Sequence, residues 1–189
     1  MVTQVLTPVF RVSFPAVFEA KSFDNGPAKF SVSAVWDPKL FTAKEQKLWD
    51  AMVGLCDEVS MERFKKKMGD LPGNFKKAIR DGAEKADLSG YGEGKLFANL
   101  SSKMKPGIVD LTGQPITNPD EFYPGCYARA FVTAYSYDNK GKGVAMGLQN
   151  LQFIRDGERL DARTDAGAAF AEAEEVDDLD RFGHDPLDD

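Results

Sequence analysis

The stretch GCYARAFVTAYSYDNKGKGVAMGLQNLQFIRDG, residues 125–157, carries the strongest fold signal in the sequence. In its first half, small apolar residues at Ala128, Ala130, Val132 and Ala134 share one face of a strand, as the cramped interior of a narrow β-barrel requires. The turn-rich segment YDNKGKG separates this strand from a second one. No helical pattern lies between the strands of the second half, which argues against a βαβ layout with a parallel sheet.

Further strands are predicted on the N-terminal side of this pair. The segments VLTPVFRVSF, AKFSVSAVWD, KLFANLSSK and PGIVDLTG have strand patterns separated by turn residues. One long helix, from about residue 43 to 67, begins at a capping box formed by Thr42 and Glu45. Residues 75–94 are polar and punctuated by glycines, and we expect a long loop with one or two short helical turns. The pattern predicts a mainly β protein with one long helix and a small, closed or half-closed barrel.

The C-terminal sequence EAEEVDDLDRFGHDPLDD differs in character from the rest of the chain. Residues 171–189 hold nine carboxylates and one arginine, a net charge of −8, whereas the whole chain carries −6. The preceding 170 residues therefore sum to about +2. Because such a segment cannot bury enough apolar surface to fold, we expect a folded domain over residues 1–160 and a flexible acidic tail over 161–189.

Composition excludes several classes of function. The sequence has no signal-peptide pattern and no apolar run long enough to span a membrane, so we expect a cytoplasmic protein. Cys56 and Cys126 are far apart and are expected to be reduced and partly buried. The only histidine, His184, lies in the tail, which argues against a histidine-dependent metal site or a serine-type triad.

Few residues suggest catalysis. Asp81, Glu84 and Asp87 recur every three residues and could share a helical face that holds a metal, although solvated helices often show this spacing. The segment GYGEGK does not match the phosphate-binding P-loop motif. We therefore predict a protein that is not an enzyme and has no cofactor.

Aromatic and basic residues instead favour binding to single-stranded nucleic acid. One face of the strand YARAFVTAYSY carries aromatic rings and an arginine. In complexes with single strands, bases stack on such rings and guanidinium groups contact phosphates. A second face, on KLFANLSSK, is basic and polar, and residues 62–80 carry a net charge of +5. Two alternatives stay open: the rings could form core beneath the helix, and the lysines could be a solvated helix end. The predicted DNA-binding residues are Lys65, Lys66, Lys67, Lys76, Lys77, Arg80, Lys95, Phe97, Lys103, Lys105, Tyr127, Arg129, Phe131, Tyr135 and Tyr137.

The segments IRDGAEK, GYGEGKLFANLSSKMKPGIVD and YPGCYARAFVTAYSYDNKGKGVAMGLQNLQFIRDGERL, followed by the acidic end, resemble a phage-associated family of OB-fold single-stranded-DNA-binding proteins, formerly a domain of unknown function. The resemblance covers roughly residues 5–160 and is strongest from residue 79 onward. It implies a five-stranded barrel, sequence-independent binding of single-stranded DNA, a role in phage replication or recombination, and an acidic tail that recruits partners.

An acidic tail tethered beside a basic groove would compete with DNA for the same lysines and contact replication partners when displaced. In replication-type single-strand binders, an aromatic residue near the end of the tail helps to recruit partners. This chain departs from proteins in which that aromatic is terminal, because Phe182 lies seven residues before the end. A tail that serves solubility alone is the alternative. The predicted partner-binding residues are Asp177, Asp178, Leu179, Asp180, Phe182 and Leu187.

Two other functions remain as hypotheses. A phage interaction or assembly protein, or an acidic mimic of DNA, would explain the tail but not the basic clusters. A nuclease using the three acids at 81, 84 and 87 would require a bound metal. The sequence leaves homodimer formation open, through tail exchange or strand pairing.

Overall fold

The computed structural model describes residues 3–161 and contains eight strands and one α-helix. The predicted acidic tail, with its six proposed partner-binding residues, lies outside the described residues. Within them, no helix is both long and apolar enough to cross a membrane. The elements are β1 (Val5–Leu6), β2 (Phe10–Lys21), β3 (Lys29–Trp36), α1 (Ala43–Phe64), β4 (Arg80–Asp81), β5 (Leu96–Ser102), β6 (Gly107–Val109), β7 (Tyr127–Asp138) and β8 (Lys142–Arg155).

Five strands pair in a cycle, in the order β2–β3–β5–β8–β7 and back to β2. The mainly β, OB-fold-like architecture is therefore confirmed. The ring is not a clean barrel, because β2 closes on β7 through only two residue pairs and β5 meets β8 through only two. Strands β1 and β6 extend the sheet at β7 and β8. Strand β8 runs parallel to β5 and β6, so the sheet is mixed rather than purely antiparallel.

Side chains that alternate along β7 fill part of the interior of the ring. Ala128, Ala130 and Val132 are fully buried, as predicted, and small side chains at these positions allow the strands to pack closely. The largest buried side chain, Trp36, donates its indole N–H to the Pro8 carbonyl at 3.2 Å and meets Phe10 edge-on at 5.7 Å between ring centroids. Trp36 therefore lies in the core of the ring.

Helix α1 begins with the predicted capping box: Glu45 N–H donates to Thr42 Oγ1 at 3.2 Å, and Thr42 N–H donates to Glu45 Oε2 at 3.0 Å. It ends at Phe64, earlier than the predicted residue 67, because Lys65 adopts a left-handed conformation (φ 58°). The Met68 N–H then donates to Asp57 Oδ1 at 2.9 Å, which turns the chain back along the helix. The last three lysines of the predicted helix, residues 65–67, therefore lie in the turn that follows.

The segment predicted to be a long loop, residues 75–94, is confirmed as mainly non-regular structure with one short 3₁₀ helix at Gly82–Lys85. It also contains β4, which pairs with the start of β5 through Arg80 and Phe97. Just before β4, Lys76 exchanges two backbone hydrogen bonds of 2.9 Å with Lys142 and Val144 of β8. These pairings fill the wedge where β5 and β8 diverge.

Candidate nucleic-acid interface

The outer face of the barrel has a floor of small and polar residues. Register places Ser31, Ser101, Gly147 and Thr133 side by side across β3, β5, β8 and β7. In the adjoining row, Ser33 donates a hydrogen bond to Asn99 Oδ1 at 2.6 Å. Because no bulky side chain rises from these positions, the backbone of four strands forms a shallow surface on which an extended polymer can lie.

Tyrosines from β7 border this floor. Tyr135 is 43% exposed, Tyr137 is half-buried, and their ring centroids lie 6.5 Å apart. Their neighbours across the sheet are Ala145 and Gly143, whose small side chains leave the rings uncovered on that side. Burial, and secondarily the nearby Tyr135, raises the pKa of Tyr137 above its ordinary value. Its phenol O–H can donate a hydrogen bond.

The basic segment around Lys76 forms the wall next to Tyr137. A side chain at Gly143 would collide with the Lys76 carbonyl oxygen, so glycine is required for this close approach. The segment and the sheet enclose a groove of about 730 Å³ lined by Lys76, Lys77 and Arg80, by Asn99 and Tyr137, and by two carboxylates, Asp81 and Glu84, the second of which pairs with Arg80. A groove with cations on one side and an aromatic ring on the other suits phosphate and base respectively.

Phe97 does not present the exposed ring that the sequence predicted, and this expectation is wrong. Its outward-facing side chain is completely buried beneath loop residues Leu88 and Tyr91. Two cations cover it: Lys85 Nζ lies 4.7 Å and Arg80 Cζ 5.2 Å from the ring centroid. Desolvation, aided by Arg80, lowers the pKa of Lys85. Phe97 thus anchors the loop to the barrel instead of offering a stacking surface.

The other predicted lysines divide among three places. Lys65, Lys66 and Lys67 are exposed in the turn after α1. Lys95 donates to the Gly90 carbonyl at 3.2 Å and lines a separate depression, away from the groove. Lys103 and Lys105 are exposed beyond the end of β5, at the opposite end of the floor from Lys76.

The aromatic face predicted on β7 points outward, so its residues are not core beneath the helix. They do not form one site, however, because the strand passes across three depressions. Tyr127 lies beneath the Arg155 guanidinium, 4.1 Å from its ring centroid, in the same depression as Lys95. Arg129 and Phe131 line another, and only Tyr137 lines the basic groove.

Several exposed residues that the sequence reasoning missed lie at the edges of the interface. Phe23 is 62% exposed at the tip of the β2–β3 hairpin, where Asp24 and Asn25 both have positive φ. The turn sequence DNG was a signal that could have placed it there. Lys21 and Lys29 form the last residue pair before the turn of this hairpin. The strand register places this pair beside the end of β5, which is followed by Lys103, Met104 and Lys105. The floor therefore has a second basic rim at this end, and exposed apolar side chains lie beside it.

The three acids considered for a metal do not converge. Asp81 accepts from the Ala83 N–H at 2.9 Å, and Glu84 pairs with Arg80. Residues 3–161 contain no group of three or more histidine, cysteine or acidic side chains placed to hold a metal ion. The geometry gives the nuclease hypothesis no support.

Solved structures of two phage proteins share this fold. The chain superposes on the single-stranded DNA-binding protein from bacteriophage Enc34 in complex with ssDNA with a TM-score of 0.65 and 20% identity, covering 82% of this chain and 88% of that one. It superposes on gp2.5, a single-stranded DNA binding protein encoded by bacteriophage T7, with a TM-score of 0.60 and 11% identity, covering 94% and 98%.

Sequence comparison then identifies the family. Residues 3–180 match the family described as Enterobacter phage Enc34, ssDNA-binding protein, and the chain belongs to this family. It is also 34% identical over 175 residues to putative protein p50 of Acyrthosiphon pisum secondary endosymbiont phage 1, covering 89% of this chain and 90% of that protein. The resemblance stated from sequence motifs is thereby confirmed.

Proposed function

We propose that this protein binds single-stranded DNA, without sequence preference, along the floor formed by β3, β5, β8 and β7. The observation that carries the proposal is the groove in which Lys76, Lys77 and Arg80 face Tyr137 across uncovered backbone. Bases stack on such rings while cations contact the phosphates, and neither contact depends on base identity. Family membership supports the same conclusion.

The bound DNA strand runs between the two basic ends of the floor. One end holds Lys76 and Arg80, and the other holds Lys29, Lys103 and Lys105. Phosphates at both ends would be neutralised while the intervening bases lie over small side chains. The exposed Phe23 at the hairpin tip would add a stacking surface beyond the second end.

The proposed biological role is protection of single strands during phage DNA replication or recombination, in the host-cell cytoplasm. The acidic segment after residue 161 would act in two ways. It would compete with weak or short ligands for the lysines, and once displaced it would recruit replication proteins. The proposal rests on the charge contrast between this segment and the basic rims.

The test is fluorescence anisotropy of a labelled single strand of about 30 nucleotides, titrated with the full-length protein at low and moderate salt. We expect binding to weaken as the salt concentration rises. Duplex DNA of the same length should compete poorly with the labelled single strand. A double variant, Lys76→Gln with Lys77→Gln, should bind more weakly. The matched control, Lys44→Gln with Lys47→Gln, removes the same charge from exposed positions at the start of α1. Absence of single-strand binding by the wild type would refute the proposal.

A further inference from the structure

A third depression lies on the outer face, where β1, β7, β8 and β6 run side by side. Register aligns Leu6, Phe131, Asn150 and Gly107 in one row across these four strands. The depression encloses about 410 Å³, and its walls are largely apolar, from Leu6, Val109 and Phe131. Phe131 is 44% exposed, so one part of its ring is held in the sheet and the rest is open to a ligand.

Polar groups at the edge of this depression are held in fixed orientations. Arg129 Nε donates to Gln152 Oε1 at 2.7 Å, and Gln152 Nε2 donates to the Asp110 carbonyl at 3.4 Å. Asn150 Oδ1 accepts from the Gly107 N–H at 3.2 Å. These contacts leave the Arg129 terminal N–H groups and the Asn150 amide N–H₂ without a hydrogen-bond partner among residues 3–161. The depression therefore combines an aromatic wall with oriented donors.

We propose that this depression is a pocket for a single nucleobase of bound DNA, outside the basic groove; the inference rests on the proposed function. A planar base would stack against Phe131, while its carbonyl oxygens or ring nitrogens accept from Asn150 and Arg129. The remaining guanidinium N–H groups would meet the adjoining phosphate. Apolar walls with a few placed donors are what an unstacked base needs in place of its neighbours.

Continuity along β7 supports a nucleic-acid occupant. Phe131, Thr133, Tyr135 and Tyr137 follow one another on the same outward face. The distance from Phe131 to Tyr137 along an extended strand is about 20 Å. A single strand could reach both sites within the about 4–16 nucleotides that one OB-fold covers. The small residues Gly147 and Ala145 leave this path unobstructed.

Photocrosslinking of the full chain tests the pocket. Oligothymidylates of about 16 nucleotides, each with one 5-iododeoxyuridine at a different position, are irradiated in complex with the protein. The tryptic peptide of residues 130–140 contains Phe131, Tyr135 and Tyr137, so fragmentation identifies the modified ring. We expect crosslinks to Phe131 from a position several nucleotides away from those that reach the two tyrosines.

Affinity measurements on two variants complete the test. Phe131→Ala and Asn150→Ala should each weaken binding, the former by about tenfold. Leu40→Ala, which changes an exposed apolar residue on another surface, should bind like the wild type. Crosslinks to Tyr135 and Tyr137 alone, with Phe131→Ala within about twofold of wild type, would overturn the pocket and leave the proposed function intact. Absence of both binding and crosslinking would instead refute the proposed function.

Discussion

At the scale of single residues, two aromatic side chains on the same outer face have opposite surroundings. Phe97 of β5 is covered by Tyr91, Lys85 and Arg80, whereas Tyr135 of β7 is 43% exposed. The difference arises from residues 80–95, which return over the start of β5 and leave β7 uncovered. An aromatic ring on this face therefore contributes either to stability or to binding, according to whether the loop reaches it.

This difference predicts different effects of truncating the two rings. Phe97→Ala should reduce the free energy of unfolding by about 3–5 kcal/mol, because it leaves a cavity beneath the loop. Tyr135→Ala should change it by less than about 0.5 kcal/mol yet weaken single-strand binding by about 1–3 kcal/mol if a base stacks there. Urea denaturation and anisotropy on both variants check the prediction. Unchanged DNA affinity in folded Tyr135→Ala would show that this ring does not stack.

The two cysteines are expected to be inert in the folded protein. Burial raises the pKa of Cys56 to about 12, with a further contribution from Asp57, and burial raises that of Cys126 to about 11. Both thiols are fully buried. A disulfide-exchange reagent at about pH 8 should therefore react slowly with native protein and rapidly with two thiols in denaturant. Fast reaction of either thiol in native protein would contradict the buried arrangement.

The same shifts have a consequence for alkaline stability. A thiol whose folded-state pKa is raised retains its proton in the folded protein at a pH where the unfolded chain has released it. Its stabilising effect is complete below the ordinary value of 9.0 and is lost as the pH rises from there toward about 11 for Cys126 and about 12 for Cys56. The urea midpoint should accordingly fall above about pH 9, and Cys56→Ser should reduce that pH dependence.

At the scale of elements, the segment around Lys76 depends on one glycine in β8. Gly143→Ala would place a methyl group against the Lys76 carbonyl oxygen and within 2.9 Å of the Tyr137 hydroxyl. We expect it to destabilise the fold by about 1–3 kcal/mol and to weaken DNA binding, because the basic wall moves away from Tyr137. Thermal unfolding and anisotropy measure the two effects.

A glycine on the helix provides the control for this prediction. Gly54 lies exposed on α1, and a Cβ there would meet nothing within 4 Å. Gly54→Ala should therefore stabilise the protein by about 0.5–1 kcal/mol and leave binding unchanged. If Gly143→Ala behaved in the same way, the Lys76 segment would not be held as described.

The elements also show what the sequence could and could not predict. Alternation along β7 and the Thr42 capping box depend on local patterns, and both were predicted correctly. The burial of Phe97 depends on a loop that folds back over the start of its own strand, β5, and alternation alone does not report such coverage. Phe14 ends the predicted strand segment VLTPVFRVSF, but it has φ 44° at a bulge in β2 and is 59% exposed. A bulge shifts the alternation by one residue, so period-two reasoning fails beyond it.

At the scale of the whole molecule, function should depend on the separation of charge. The first 170 residues carry about +2, with a group of basic residues at each end of the floor, while residues 171–189 carry −8. Binding affinity should therefore reflect local charge rather than the acidic pI of about 4.9. Each phosphate contact contributes about 0.7 to the slope of log affinity against log salt. The Lys76→Gln and Lys77→Gln double variant should thus lower that slope by about 1.4 if both lysines contact phosphate.

Neutralising acids in the full-length chain tests whether the C-terminal segment competes with DNA. A triple variant with Asn in place of Asp177, Asp178 and Asp180 retains length and apolar residues but removes three negative charges. If the segment occupies the basic rims, the variant should bind a short oligonucleotide more tightly at low salt. The gain should shrink as salt screens the competition. The same gain at every salt concentration would exclude electrostatic competition, and no gain at all would leave partner recruitment or solubility as the role of the segment.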